Sequence, residues 1–329
     1  MVKTAILLPG QGQGSVMVGM GRNVWEHSEG ARKVFFFADH FLPNARGKPF
    51  SELCFLGPEE ELFKEAQLAA LTADLAYAAA RSGLKKDGLE FVKNKKRPSY
   101  LAGHSVGYIA ALVIAKVITL KQAYEIVKER KRLMDDACRR HPGKMVALLN
   151  PKLEEIESLC AKFGAEVAND NSETQIVITG LNDTVDRAAA EIVRQKFSTK
   201  AIQLKVPGPL HSKWLEDASF SFAKFLEPID FADPLISIVG NTRAQIITTG
   251  DEAKKEAWEH ISRRVQWRQS MDCLHKEGVN VFIETGEGRV LSDNLERSAR
   301  KGMAVRIIAS SVALAGRIRK WSEKKNNKV

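Results

Sequence analysis

Short apolar runs alternate with amphipathic stretches along this chain, and the alternation predicts strands and helices in turn. Residues 4–8 (TAILL) form an apolar run that ends in a Pro-Gly pair, which is typical of a buried strand leading into a loop. Residues 57–61 (GPEEE) indicate a helix start, because proline suits the first helical turn and acids there face the positive end of the helix dipole. Residues 99–102 predict another strand, followed by a glycine-containing turn and an apolar helix to about Ile118. This alternation favours an α/β sheet.

The middle of the chain follows a different pattern. It predicts, in order, a strand at 145–149, a helix at 151–163, strands at 165–168 and 175–179, a helix at 184–195 and a strand at 201–206. This βαββαβ order is the ferredoxin-like pattern. We therefore class the chain as α/β, with a large α/β-hydrolase-like domain and an inserted small ferredoxin-like (α+β) subdomain. The expected boundaries are residues 1–137 and 207–316 for the large domain, 138–206 for the small one and 317–329 for a basic tail.

Composition limits the classes of partner. The 50 Lys and Arg exceed the 40 Asp and Glu and give a formal net charge of +10, which favours an acidic partner. Two segments are strongly basic, residues 85–97 and the tail. Aromatic residues make up only 7% of the chain and are not interleaved with these segments, so we expect no nucleic-acid partner.

The sequence also argues against a membrane protein and against a disulfide framework. The apolar run at residues 109–115 is ended by Lys116 and is far shorter than the roughly 18 residues that a membrane span needs. The four cysteines are far apart and lack the paired spacing of a disulfide framework or a Cys-type zinc site: Cys54, Cys138, Cys160 and Cys273. We expect a cytoplasmic protein with no membrane attachment, no metal and no cofactor.

Residues 103–107 (GHSVG) match the G-x-S-x-G nucleophile motif in the context that the motif requires. A strand is predicted before the pentapeptide and a helix after it, so the Ser105 hydroxyl would stand at a helix N-terminus. Amides at that terminus, including the N–H of Val106, could stabilise a developing oxyanion. The motif predicts a serine nucleophile.

A nucleophilic serine needs a base, and one of the seven histidines stands out. His104 adjoins the serine and suits a packed or hydrogen-bonded place in the elbow. His211 lies in a rigid Gly/Pro loop, residues 206–212 (VPGPLHS), where the small subdomain is expected to rejoin the large one. Such a loop can aim a side chain into a cleft, so His211 is the candidate base.

Residues 9–14 (PGQGQG) form a glycine-rich loop after the first predicted strand. A dinucleotide fingerprint would need a third glycine at the position of Ser15, so nucleotide binding is disfavoured. A loop of this kind can instead bring a backbone N–H to a bound acyl group.

Taken in order, these motifs resemble the malonyl-CoA:acyl-carrier-protein transacylase family of fatty acid and polyketide synthesis. The resemblance runs from about residue 4 to about residue 298. The matching segments are PGQG at 9–12, GHSVG at 103–107, VKERKRLM at 127–134, GKMVA at 143–147, NDNSETQIVITG at 169–180, GPLHS at 208–212, VQW at 265–267 and GEGRVL at 286–291. Each of these segments alone is only weakly specific for the family, but eight of them in sequence order are specific.

The resemblance implies a role for each matched position. Ser105 would be the acylated nucleophile and His211 its base, with the main-chain carbonyl at about His260 orienting the imidazole. Gln11 and Val106 would supply the oxyanion-hole amides, and Arg130 would bind the free malonyl carboxylate. Asn169 and Gln175 would support the site. The implied reaction is a ping-pong transfer from malonyl-CoA, through a malonyl-serine, to the 4′-phosphopantetheine thiol of an acidic acyl carrier protein.

Several positions depart from the family pattern. Tyr108 stands where the family has glutamate, Gly14 and Asp135 where it has glutamine, and Glu287 where it has proline. Residues 263–264 (RR) replace an Asn-Pro pair. These departures leave an acyl hydrolase or a polyketide-type acyltransferase as an alternative. With either activity, the basic segments and residues 263–264 become candidate docking surface for the carrier protein.

Overall fold

The computed structural model describes residues 2–12, 14–42, 47–82, 84–85, 88–89, 97–298 and 306–309. Its strands are β1 (Lys3–Leu8), β2 (Leu84–Lys85), β3 (Gly88–Leu89), β4 (Tyr100–Gly103), β5 (Gly143–Leu149), β6 (Glu166–Ser172), β7 (Gln175–Leu181), β8 (Lys200–Gln203), β9 (Ser237–Val239), β10 (Ile246–Ile247), β11 (Val279–Glu284) and β12 (Arg306–Ala309). Its helices are α1 (Arg22–His27), α2 (Glu29–Phe41), α3 (Phe50–Leu56), α4 (Glu59–Lys64), α5 (Ala66–Ser82), α6 (Gly107–Ile114), α7 (Leu120–Arg140), α8 (Leu153–Phe163), α9 (Asn182–Arg194), α10 (Glu216–Leu226), α11 (Gly250–Glu259), α12 (Trp267–Lys276) and α13 (Val290–Ser298). The basic tail at 317–329 and most of the basic segment at 85–97 lie outside the described residues.

A six-stranded sheet forms the centre of the molecule, in the order β10-β9-β4-β1-β11-β12. The pairs from β9 to β12 are parallel, and β10 joins the edge antiparallel to β9. Parallel strands need crossover connections, which is why helices separate them in the chain. The predicted α/β class is confirmed.

The central strand is apolar because both of its faces are covered. Residues 5–8 of β1 have no exposed surface, with some side chains packed in the core on one face of the sheet and others in the core on the opposite face. Helix α6 packs beside β1 and β4 and is buried along its whole length, so it is apolar all round rather than amphipathic. It ends at Ile114, four residues before the predicted end, and α7 begins after Thr119.

Residues 143–203 form a second, four-stranded antiparallel sheet in the order β6-β7-β5-β8. Helices α8 and α9 pack against each other and contribute to an apolar cluster of their own with the inward side chains of these strands. The sequence pattern predicted every strand and both helices of this sheet to within a few residues.

The second sheet is joined to the large one through β6. The backbone N–H of Asp170 donates to the carbonyl of Val265 at 2.9 Å, and the N–H of Val265 donates to Ala168 at 2.8 Å. The buried Asp170 carboxylate also pairs with Arg268 of α12 at 2.7 Å. These contacts fix the small sheet against α12 and the segment that precedes it.

Helix α7 is a long amphipathic helix with a well-defined start. Thr119 and Gln122 form a reciprocal capping box at its N-terminus, which satisfies helix-start N–H groups that have no intrahelical partner. Its buried stripe recurs at three- and four-residue spacing: Ala123, Ile126, Val127, Arg130, Leu133, Met134 and Ala137. Arg130 therefore occupies a core position of this helix.

No helix among the described residues combines the length and the apolar character needed to cross a bilayer.

Candidate active site

Ser105 stands in a sharp turn between β4, which ends at Gly103, and α6, which begins at Gly107. Its φ is 52°, in the left-handed region that a non-glycine residue rarely adopts. A Cβ built on Gly103 would lie 2.2 Å from the backbone of Gly107, so the turn closes only with glycine at this position. The strand-turn-helix context predicted from the motif is present.

His211 lies against the serine as the sequence predicts. The Ser105 Oγ and His211 Nε2 atoms are 2.9 Å apart, and His211 Nδ1 lies 2.6 Å from the main-chain carbonyl of His260. A carbonyl can only accept, so Nδ1 carries the proton and Nε2 is left to accept from the serine hydroxyl. Burial, with the charge of Arg130 as a second cause, lowers the pKa of His211 to about 3. The imidazole is therefore neutral at pH 7, as a general base must be.

Arg130 completes the centre of the site and has no exposed surface. Its Nη2 donates to Ser105 Oγ at 3.0 Å, and its Nη1 donates to the Oε1 of Gln67 on α5. Its Nε has no hydrogen-bond partner among the described residues, although the atom is fully buried. Burial lowers the pKa of Arg130 to about 9, and no acid among the described residues opposes that shift. The site therefore holds a buried cation without a carboxylate partner in the described chain.

Asn241 holds the elbow and was not anticipated from the sequence. Its Oδ1 accepts from the backbone N–H of Ser105 at 2.9 Å, and its Nδ2 donates to the carbonyl of Gly103 at 2.9 Å. The Glu256 carboxylate of α11 in turn accepts from the N–H groups of Asn241 and Thr242 and from the Thr242 hydroxyl. Gln67 was also not predicted as a site residue. The sequence signal that could have identified it is its place as a polar residue within a stretch of apolar core helix.

The two residues expected to form an oxyanion hole lie beside the elbow. Val106 is the residue immediately before α6, so its N–H belongs to the positive end of that helix. The loop that carries Gln11 packs directly on the elbow, because a Cβ at Gly10 would lie 2.6 Å from the His104 carbonyl oxygen. Glycine at residue 10 thus brings the Gln11 backbone close to the turn.

The structure places Asn169 and Gln175 outside the dyad. Asn169 is buried in β6, where it pairs with Val265. Gln175 accepts from the amide of Asn171 at 2.9 Å, and Asn171 Oδ1 lies 3.0 Å from His104 Nε2. Gln175 therefore reaches the elbow only through Asn171 and His104, and Asn171 was not anticipated from the sequence.

A cavity of about 850 Å³ opens beside Gln11 and Gln67. Its wall carries both signs of charge, with Lys64, Lys131, Arg139 and Lys205 beside Glu59, Glu60, Glu65 and Asp135. Gln67 links the cavity to Ser105 through Arg130, because its amide oxygen accepts from the guanidinium that donates to the serine. Among the described residues, no group of three His, Cys, Asp or Glu side chains is arranged to hold a metal ion.

Tyr108, Asp135 and Glu287 depart from the family pattern, and each makes a hydrogen bond or an ion pair in the structure. The Tyr108 hydroxyl donates to the carbonyl of Ala253 at 3.1 Å, and its ring meets His260 edge-on at 5.7 Å. Asp135 pairs with Lys131 at 2.9 Å in the cavity wall. Glu287 accepts from the Tyr77 hydroxyl at 2.8 Å and from a backbone N–H at residue 21.

The glycine at residue 14 and the two arginines also have defined surroundings. Gly14 has a φ of 91°, and a Cβ on Gly288 would lie 1.9 Å from its carbonyl. Arg264 donates to Glu157 at 2.6 Å, and Arg263 lies 3.6 Å from the buried Glu259. None of these departures displaces Ser105, His211 or Arg130.

The chain matches known proteins over most of its length. Residues 10–327 match the family described as acyl transferase domain. The chain is 32% identical over 308 residues to a malonyl CoA-acyl carrier protein transacylase of Bacillus subtilis strain 168, with 92% of each chain covered. It is similar to the crystal structure of an acyl carrier protein S-malonyltransferase from Vibrio cholerae, with a TM-score of 0.81, 30% identity and coverage of 93% of this chain and 96% of that one.

A further solved structure shows a type II polyketide synthase acyl carrier protein in complex with its malonyl-transacylase. The TM-score is 0.84 at 28% identity, with 95% of this chain and 98% of that one covered. The chain therefore belongs to the malonyl-CoA:acyl-carrier-protein transacylase family of acyltransferases.

Proposed function

We propose that this protein transfers a malonyl group from malonyl-CoA to the phosphopantetheine thiol of an acidic acyl carrier protein, through a malonyl-Ser105 intermediate. The observation that carries the proposal is the buried Arg130 guanidinium, which contacts the nucleophile at 3.0 Å and has no acidic partner in the described chain. A buried charge without a partner is costly, so the site is built to receive an anion beside the serine.

The dyad supplies the covalent chemistry. His211 Nε2 takes the hydroxyl proton of Ser105 as the oxygen attacks the thioester carbonyl. The N–H groups of Gln11 and Val106 stabilise the oxyanion, and His211 returns the proton to the departing CoA sulfur. The carrier-protein thiol then attacks malonyl-Ser105 through the same steps in reverse. No metal or cofactor takes part in this scheme.

Arg130 supplies the selectivity. Its unpaired Nε and the neighbouring Nη2 lie on one edge of the guanidinium. A carboxylate could accept from Nε directly, and from Nη2 in place of the Ser105 hydroxyl once that oxygen is acylated. A malonyl carboxylate bound there would satisfy the orphaned donor and neutralise the buried charge. An acetyl group offers no such partner.

The proposed function is accompanied by an inferred fold for each domain and an inferred cellular location. We infer an α/β-hydrolase-like large domain, supported by the parallel sheet with its elbow between β4 and α6. We infer an inserted ferredoxin-like subdomain at residues 138–206, supported by the antiparallel order β6-β7-β5-β8 and the separate apolar core. The free thiols of all four cysteines support a cytoplasmic location.

Intact-protein mass spectrometry after mixing with a panel of acyl-CoAs tests this function. We expect the added mass of one malonyl group on the wild type and none on Ser105→Ala. The adduct should persist until a holo carrier protein is added, whereas a hydrolase would release free malonate without any second thiol. Near-wild-type transfer by Ser105→Ala would show that the assignment is wrong.

Arg130→Ala tests the selectivity. Two hydrogen bonds between charged groups contribute about 1.5–3 kcal/mol each, so malonylation should slow by about 100-fold or more. Arg132→Ala is the matched control, because Arg132 lies on the same helix but is exposed and paired with Glu129 at 2.6 Å. Equal malonylation rates for the two variants would make Arg130 a structural residue only.

A further inference from the structure

The His260 residue contacts two parts of the catalytic centre with two different groups. It caps the C-terminus of α11 and has no exposed surface. Its main-chain carbonyl accepts from His211 at 2.6 Å, which the family resemblance led us to expect. Its side-chain Nε2 lies 3.3 Å from Arg130 Nη2, and this contact was not predicted from the sequence.

The protonation state of the His260 ring follows from its hydrogen bonds. Nδ1 lies 2.8 Å from the main-chain carbonyl of Glu256, which can only accept, so Nδ1 carries the proton. Nε2 is then an unprotonated acceptor and faces a guanidinium that can only donate. Burial, followed by the charges of Arg130 and His211, lowers the pKa of His260 well below its usual value and keeps the ring neutral. Two other rings lie near it, with centroids at 5.7 Å for Tyr108 and 6.3 Å for His211.

Neutral acceptors suit a cation that must remain available to a substrate. The described partners of the Arg130 guanidinium are the amide oxygen of Gln67, the hydroxyl of Ser105 and the imidazole of His260. These groups fix its orientation without cancelling its charge. A carboxylate in the place of His260 would pair with the guanidinium permanently and compete with any substrate carboxylate.

We propose that the His260 side chain is a positioning residue that holds the Arg130 guanidinium ready for a carboxylated acyl group. This proposal rests on the proposed malonyl transfer and deepens it. The main-chain carbonyl of the same residue orients the base, so one residue aligns the base through its backbone and the carboxylate-binding group through its side chain. A substitution removes only the second contact.

The experiment compares His260→Leu, which has no acceptor, with His260→Gln, whose amide oxygen can accept from Arg130. Two rates are measured on each protein. The first is kcat/KM for malonylation of Ser105 by malonyl-CoA, and the second is the labelling of Ser105 by the uncharged reagent phenylmethylsulfonyl fluoride. The second rate reports the dyad alone, because that reagent has no carboxylate. His260→Met replaces His260→Leu if the leucine variant does not fold.

We expect His260→Leu to lose about 10- to 100-fold in malonylation, mostly in KM, because one hydrogen bond to a buried charged group is lost. Its labelling by the neutral reagent should stay within about threefold of the wild type, and His260→Gln should recover most of the malonylation rate. Thr249→Ala is the matched control, since it removes the N-terminal cap of the same helix without touching the site. It should leave both rates unchanged.

Three results would overturn the proposal. The first is equal loss of both rates in His260→Leu, which would mean that the residue acts through the base. The second is an unchanged malonylation rate in that variant. The third is a His260→Gln rate as low as that of the leucine variant. Wild-type protein that forms no malonyl-Ser105 while reacting normally with the neutral reagent would instead refute the proposed function itself, and this inference with it.

Discussion

Removal of the Asn241 side chain should disable the nucleophile more than it disturbs substrate binding. In Asn241→Ala, the N–H of Ser105 and the carbonyl of Gly103 both lose their side-chain partner. Each of these buried groups left unpaired costs about 1–3 kcal/mol, so the two together cost about 2–6 kcal/mol. The whole protein is stabilised by only about 5–15 kcal/mol. The change is therefore large on the scale of folding, and it is concentrated at the elbow.

The elbow is the part most able to move in response. Ser105 has a φ of 52°, a conformation that costs about 1–3 kcal/mol and persists only because its neighbours impose it. Once Asn241 no longer holds the turn, relaxation of this residue would carry the hydroxyl away from His211. A displacement of about 1 Å is enough to lower kcat by about 100-fold.

Two measurements check this prediction. Single-turnover malonylation of Ser105 gives the chemical rate, and urea denaturation gives the folded fraction and the loss in free energy of unfolding. We expect kcat to fall by about 100-fold with little change in KM, after correction for the folded fraction. Asn294→Ala is the control, because Asn294 is equally buried but lies on α13. It should lose stability without losing kcat.

A specific result would refute the reasoning. If Asn241→Ala folded and acylated Ser105 at the wild-type rate, the elbow would not depend on this amide. The positive φ of Ser105 would then have to be imposed by the strand and helix alone.

Four further outcomes are expected. With malonyl-pantetheine as substrate, kcat/KM should stay flat from pH 8 to pH 5, because burial lowers the pKa of His211 to about 3. This substrate is chosen because it lacks the titrating 3′-phosphate of CoA. A loss of kcat/KM that follows one protonation centred near pH 6.5 would contradict this prediction. Over the same range, the free energy of unfolding should fall as the pH drops below 6.5, because the unfolded chain then binds a proton at both His211 and His260 and the folded chain does not. The loss should be about 1.4 kcal/mol per pH unit for each buried neutral histidine. Gly10→Ala should lower kcat by 10-fold or more, because its Cβ would meet the His104 carbonyl at 2.6 Å and push the Gln11 loop off the elbow; a wild-type acylation rate would show that the loop position is not critical. The KM for carrier protein should rise steeply with salt, whereas a salt-independent KM would assign the excess positive charge to solubility alone.

The contact between Ser105 and His211 could be predicted because local sequence fixes most of the geometry of each segment. The run at residues 4–8 and the GHSVG turn specify a buried strand, a tight turn and an apolar helix, and each property follows from neighbouring residues. The Gly/Pro loop likewise limits where His211 can point. These are short-range constraints, so they are visible in the sequence, and the family resemblance linked the two segments.

Arg130 lies between the residues that the sequence predicts and those that only the tertiary structure brings together. As a single arginine among basic residues it has the sequence appearance of a solvated side chain. Only the family resemblance marked it as a site residue. In the structure it is buried and falls in the apolar stripe of α7 with Val127, Leu133 and Met134.

The support of the site was decided by the tertiary structure alone. Asn241 reaches Ser105 across 136 residues of sequence, Gln67 reaches Arg130 across 63, and the His260 ring reaches Arg130 across 130. The sequence by itself determined the strands at 4–8 and 99–102, the elbow and the elements of the small sheet, because these depend on propensity and spacing over a few residues. The sheet order and the packing of α11 against the elbow determined which buried polar groups meet, since a hydrogen bond depends on position in space to within a few tenths of an ångström.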